Sequence, residues 1–134
     1  MPYQFEFDST NRILRGRLDG RVTDEVAKEY HRVAVEYAAQ IDALLGITDL
    51  SAVTAFEVSA VTARELARSE PVMLDPNNRI CVIIAPSDHI FGIARLFQIE
   101  GEQTRPNLHV VHTLMEACAV LGVLDPQFER LQTK

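Results

Sequence analysis

The sequence predicts an α/β protein with a mixed sheet and the element order β-β-α-β-α-β-α-β-α. Three observations carry this. Tyr3 to Asp8 and Ile13 to Asp19 alternate apolar and polar residues around a turn-like Ser9-Thr10-Asn11-Arg12, the pattern of an antiparallel hairpin with one buried face. Val26, Tyr30, Val33, Ala34, Tyr37, Ala38 and Ile41 recur at helical spacing. Arg79 to Ala85 is β-branched and continuously apolar, which marks a strand covered on both faces. Right-handed crossovers then make the later strands mainly parallel, with helices covering the sheet.

The elements follow in order. Gly20 is expected to break the second strand, and Thr23 to cap the first helix with Asp24 and Glu25 in its first turn. Leu44 to Thr48 is a short apolar strand ending in the acid Asp49. A polar-and-small loop leads from it to a helix between Ser59 and Ser69, and Pro71, Asp75-Pro76 and Asn77-Asn78 mark a further loop. Pro86-Ser87-Asp88 opens a helix running to about Glu102, and Leu108 to Val111 is a strand. Thr113 and Glu116 form a capping box, whose helix runs to Leu121 and ends at Gly122. Asp125-Pro126 predicts a short terminal helix with Pro at its first position.

A length of 134 residues suits a single domain, 1–134. Hydrophobic content of 47% and charged content of 24% are those of an ordinary soluble protein. A net charge of −6 and a pI of about 5.1 oppose phosphate backbones, so no nucleic-acid partner is expected. The apolar runs, such as ICVIIA, are too short for a membrane span, and MPYQFEFDST lacks the pattern of a signal peptide. Cys81 and Cys118 lack metal or redox spacing and read as buried free thiols, which places the chain in the cytoplasm.

Little in the chain points to catalysis. His109 and His112 flank a strand on opposite faces and make no metal pair, while His31 stands apart and His89 reads as an exposed helix-start residue. The chain has no Gly-rich phosphate loop, no HExxH and no nucleophile elbow. The reading is therefore of a non-enzyme that needs no cofactor and no metal. An enzyme would use Ser51 or Ser59 with a histidine, and no local spacing supports one.

Three features remain. In the helix after Ser87, Gly92, Leu96, Ile99 and Gln103 form a second apolar stripe, turned away from the core face of Ile90, Phe91, Ile93, Ala94 and Phe97. Loops or a neighbouring helix can cover that stripe, or it is an interface with a partner or a second copy. Arg12, Arg15 and Arg17 cluster on the hairpin and read as a solvated face with edge protection, the other reading being an anion-binding patch. Finally, Ser59 stands near a helix start where Thr54–Glu57, Thr62–Glu65 and Ser59 itself all carry cap signals. Its hydroxyl is a helix cap, a phosphate acceptor or a nucleophile.

The run GITDLS, the segment RICVIIAPSDHIFGIARLFQ and the pattern HVVHTLMEACAVLG resemble the SpoIIAA-like proteins of the STAS superfamily, relatives of bacterial anti-sigma-factor antagonists. The similarity spans Tyr3 to Val123, and Gly92, Arg95 and Phe97 match the uncharacterised SpoIIAA-like branch. The resemblance implies a SpoIIAA-like (STAS) fold. It also implies a non-catalytic domain that binds a protein or a small ligand. In the antagonists a D-S-S-G sequence carries a phosphorylated second serine. The corresponding residues are Glu57, Val58, Ser59 and Ala60, so Ser59 is the candidate phosphoacceptor and the other three positions depart from the motif.

The expected function is then a regulatory or protein-interaction domain of STAS type, self-associating as a homodimer through the Gly92–Gln103 stripe. Asp49, Ser51 and Glu57 would form a recognition surface at the strand-to-helix junction around the Ser59 switch. The alternative is a binding module for a small apolar ligand or lipid, since the superfamily fold also resembles the lipid-binding lobe of SEC14-like proteins. A phosphorylation-controlled anti-sigma-factor antagonist is the third reading.

Overall fold

The computed structural model describes residues 2–69, 71 and 79–131. The strands are β1 (Tyr3–Asp8), β2 (Ile13–Thr23), β3 (Leu45–Glu57), β4 (Ile80–Ile84), β5 (Leu108–Val111) and β6 (Glu129–Arg130). The helices are α1 (Asp24–Gln40), α2 (Ala60–Arg68), α3 (Asp88–Glu100) and α4 (Leu114–Leu121). The strands form one sheet in the order β5-β4-β3-β2-β1-β6. β1 pairs antiparallel with β2 and β6, and β2, β3, β4 and β5 run parallel to one another. The expected Asp75-Pro76 and Asn77-Asn78 loop lies outside the described residues.

Alternation decides which side chains face which layer. Tyr3, Phe5, Leu14, Leu18 and Ile83 point to one face and pack with Ala34 and Ala38 of α1 and Ile90 and Ala94 of α3. Ile13, Ile47, Val82 and Ile84 point to the other and pack with Ala117 and Leu121 of α4. β4 is thus covered on both sides, as its unbroken apolar run predicts.

The helix ends are set by local chemistry. Oγ1 of Thr23 accepts from the amide of Val26, and Oγ of Ser87 from that of Ile90. Thr113 and Glu116 form the reciprocal capping box, and Gly122 closes α4 at φ 71, a left-handed conformation suited to glycine.

Three expectations are corrected. Gly20 does not end β2. At φ 67 it sits beside a register shift in the β2–β3 pairing, and the strand runs on to Thr23. A glycine inside a strand marks a bulge as readily as an end. Likewise β3 does not stop at Thr48, because the presumed loop after Asp49 continues as strand to Glu57 against Asp19–Thr23 of β2.

The third correction concerns the terminal helix, which the described residues 125–131 do not form. Asp125 has φ 45, outside the right-handed helical region, and the amide of Gln127 donates to Oδ2 of buried Asp8 at 3.2 Å. The chain then pairs Glu129 and Arg130 with Phe7 and Glu6, so Pro126 precedes a strand rather than opening a helix.

Candidate functional site

The junction residues do not form one surface. Asp49 is buried at 3% exposure on the α4 face of the sheet, which corrects its expected place on a recognition surface. Its Oδ2 accepts from Nη2 of Arg15 at 2.6 Å, and its Oδ1 from the amide of Ser51 at 2.9 Å. That amide lies where β3 slips register against β2. Burial opposes the charge on Asp49, but hydrogen bonds from Ser51 and Arg15 outweigh it and hold the carboxyl below the usual carboxylate range.

Arg15 is equally far from expectation. β2 lies between β3 and β1, so its arginines protect no edge. The Arg15 side chain is half-buried between Asp49 and Glu6, 3.7 Å from the latter, with its guanidinium 4.8 Å from the Phe128 ring centroid. Arg12 instead pairs with exposed Asp42.

Ser51 and Glu57 are exposed. Glu57 forms a two-pronged ion pair with Arg21, at 2.9 and 2.8 Å, which keeps its carboxyl low. Ser59 is the N-cap of α2, its hydroxyl accepting from the amide of Thr62 at 3.1 Å. The same hydroxyl donates to Oδ2 of Asp24 at 3.2 Å, and the Ser59 amide donates to Oδ1 at 2.7 Å. These bonds lower the Asp24 pKa, the amide of Ser59 contributing most. Of the three competing cap signals, Ser59 is therefore the one used, and Thr62 lies inside the helix. Sequence reading missed Asp24 as its partner, because the two are 35 residues apart.

On α3, Gly92 is exposed, Leu96 is half-buried and Ile99 is 59% exposed, whereas Gln103, expected on the same stripe, lies exposed in the turn beyond the helix, which ends at Glu100 with Gly101 as its cap. Among the described residues Ile99 stays mostly uncovered. Ring Nε2 of His89 meets the carbonyl of Phe56 at 3.1 Å. His112 stacks on Phe91, with ring centroids 4.2 Å apart, while His109 is exposed on β5.

An apolar cavity lies between the sheet and α1–α3. It has a volume of about 190 Å³. Leu14, Leu18, Ala34, Ile83, Ile93 and Phe97 line it, with Tyr30 and Cys81 among them. Tyr30 shares a hydrogen bond of 2.9 Å with Thr48, and burial pushes the Cys81 thiol up to about 12, so it is an inert apolar wall.

One end of the cavity is basic. Arg105 is 9% exposed, and its Nη1 donates to the carbonyl of Ala67 at 2.7 Å and to Oγ1 of Thr104 at 3.0 Å. Its Nη2 meets Nε2 of His31 at 3.3 Å, and its guanidinium lies 4.9 Å from the Phe97 ring centroid. Burial lowers the Arg105 pKa from its ordinary value. Sequence reading did not single out Arg105, which stands in a polar turn (Thr104 to Asn107) with no motif around it.

Among the described residues no three His, Cys, Asp or Glu side chains are grouped to hold a metal, and no helix is long and apolar enough to cross a membrane. No protein-family model matches the chain, and no curated protein matches it in sequence. Among solved structures it is similar to the anti-sigma factor antagonist SpoIIAA in its unphosphorylated form. The two share 15% identity and a TM-score of 0.61, over 92% of this chain and 99% of that one. At that identity the likeness concerns the fold. The hairpin, the mixed sheet and its covering helices therefore give this chain a SpoIIAA-like, STAS-type fold.

Proposed function

We propose that this protein is a non-catalytic binding domain whose site is the cavity between the sheet and α1–α3, taking a small apolar ligand. The cavity is the observation that carries it. Native cores hold few voids larger than a water molecule. A volume of about 190 Å³ exceeds the ~150 Å³ of an engineered apolar cavity that binds benzene or xenon. It is smaller than the roughly 300 Å³ at which drug-sized pockets begin, so the ligand is small. Native mass spectrometry of protein expressed in its own host tests this. A co-purified ligand, or uptake of added small hydrocarbons at one per chain, is the expected result. A bare mass with no uptake overturns it.

A second reading, self-association through α3, is favoured by the exposed Ile99 with Gly92 and Leu96 on the helix and Gln103 in the turn after it. It agrees with a regulatory or partner-binding role, and a ligand in the cavity behind α3 could modulate that face. A phosphate switch at Ser59 gains less support. Asp24 already holds the hydroxyl, and a phosphate there would meet a carboxylate as well as the helix amides.

A further inference from the structure

We infer that the cavity ligand carries one neutral carbonyl oxygen in an otherwise apolar frame, and that the hydroxyl pair Tyr30–Thr48 donates to it. This inference rests on the cavity being a ligand site. Tyr30 of α1 and Thr48 of β3 both line the cavity, and their oxygens lie 2.9 Å apart. Each hydroxyl has one proton to donate. Whichever of the two donates within the pair, the proton of the other remains, and neither side chain has another hydrogen-bond partner among the described residues. Burial pushes the Tyr30 phenol above its ordinary value, so the phenol keeps its proton. A donor without an acceptor in apolar surroundings is costly, and a ligand that supplies the acceptor removes that cost. The pair stands in the middle of the cavity floor. Thr48 lies opposite Gly16 of β2 and Ile83 of β4 in the sheet, and the phenol oxygen is set against Gly16. Leu14 and Leu18 flank Gly16 along β2, Leu50 follows Thr48 on β3, and all three line the cavity. An oxygen taken up here therefore has apolar wall to either side. A carbonyl suits the place because it accepts and adds no donor of its own.

Two probes of one shape test this: dipropyl ketone, with its oxygen in mid-chain, and the hydrocarbon that has a methylidene group in place of that oxygen. NMR titration of the full chain gives both affinities. Infrared spectroscopy of the bound ketone reads its carbonyl stretch, which falls when the oxygen accepts a hydrogen bond. On the unaltered chain the ketone should bind one per chain, with its carbonyl band below the position found in hexane. Tyr30→Phe combined with Thr48→Val removes both hydroxyls at nearly constant volume. The double variant should lower the ketone's affinity relative to the hydrocarbon's at least about tenfold, as one hydrogen bond warrants, and return the band to its hexane position. Ala94→Leu, which fills the cavity, should weaken both probes. An unchanged affinity ratio, or a band that does not move, overturns the carbonyl and leaves the cavity reading intact so long as the hydrocarbon binds. Binding of neither probe overturns both. Ketone binding that survives Ala94→Leu undiminished places the site elsewhere and also overturns the inference. Should the double variant fail to fold, the band on the unaltered chain decides the matter alone, a hexane-like position overturning the inference.

Discussion

Asp24 and Ser59, at the starts of two different helices, are tied by a single carboxylate that accepts from both the amide and the hydroxyl of Ser59. The bond joins the N-terminus of α1 to that of α2, and so fixes where the chain leaves the long strand β3. It also gives one side chain two tasks, since the Ser59 oxygen that donates to Asp24 accepts from Thr62. Ser59→Ala should cost about 1 kcal/mol, the usual loss of a cap. Ser59→Glu should be worse than Ser59→Ala, because it sets one carboxylate against another, and Asp24→Asn should restore part of the difference. Chemical denaturation of the parent, Ser59→Ala, Ser59→Glu and Ser59→Glu combined with Asp24→Asn checks this. Equal stability of Ser59→Glu and Ser59→Ala would show that Asp24 does not oppose a negative charge at this position.

The buried pair Arg15–Asp49 makes stability depend on pH. Folding favours the charged form of Asp49, so its contribution is complete above about pH 3.9, the value of an unfolded aspartate, and is lost as the pH falls through the lower folded value. Arg15→Met leaves Asp49 and Glu6 buried without their cation. It should destabilise the fold by about 3 kcal/mol near neutral pH. That deficit should shrink in acid, where the carboxyl takes up a proton. Urea unfolding of the parent and the variant at neutral and acid pH measures both effects, and a deficit independent of pH would contradict the account.

Gly16 is needed for space rather than for backbone freedom. A Cβ at that position would lie 2.0 Å from the Tyr30 hydroxyl oxygen and 2.6 Å from two ring carbons. Tyr30 stacks on Phe5, with centroids 5.2 Å apart, and bonds Thr48, so its ring has little room to give. Gly16→Ala should therefore cost about 1–3 kcal/mol, the range of core overpacking. Combining it with Tyr30→Ala should be less than additive, because both act on one contact. Additive losses in thermal unfolding would place the strain elsewhere.

The α3 stripe has a direct test in apparent mass. If it joins two copies, light scattering gives twice the 15.0 kDa of the chain. Changing Leu96 and Ile99 together to Lys should then halve that mass without lowering the thermal midpoint. A mass that does not change, or a variant that does not fold, counts against the interface.

Much of the fold is legible in the sequence because its signals are local. The caps at Thr23, Ser87 and Thr113 each require only a hydroxyl and an amide two or three residues on, and Gly122 needs only its own backbone freedom. The apolar run of β4 announces two covered faces by itself. Errors gathered where a distant strand decides the outcome. The stretch from Ser51 to Glu57 is polar and small enough for a loop, and becomes strand because Asp19 to Thr23 lies alongside it. The Asp125-Pro126 start has good helix chemistry, yet Asp8 and the free edge of β1 take its amides instead.

The sequence by itself determined the α/β class, the order of the main elements, most helix ends and the hydroxyl at Ser59, since periodicity and capping depend on neighbours along the chain. Tertiary structure alone decided that Asp49 is buried against Arg15, that Asp24 reaches Ser59, and that Arg105 stands at one end of an apolar cavity. Each of these joins residues more than thirty positions apart. Pairings of that kind are set by sheet register and layer packing, which no local pattern of residues encodes.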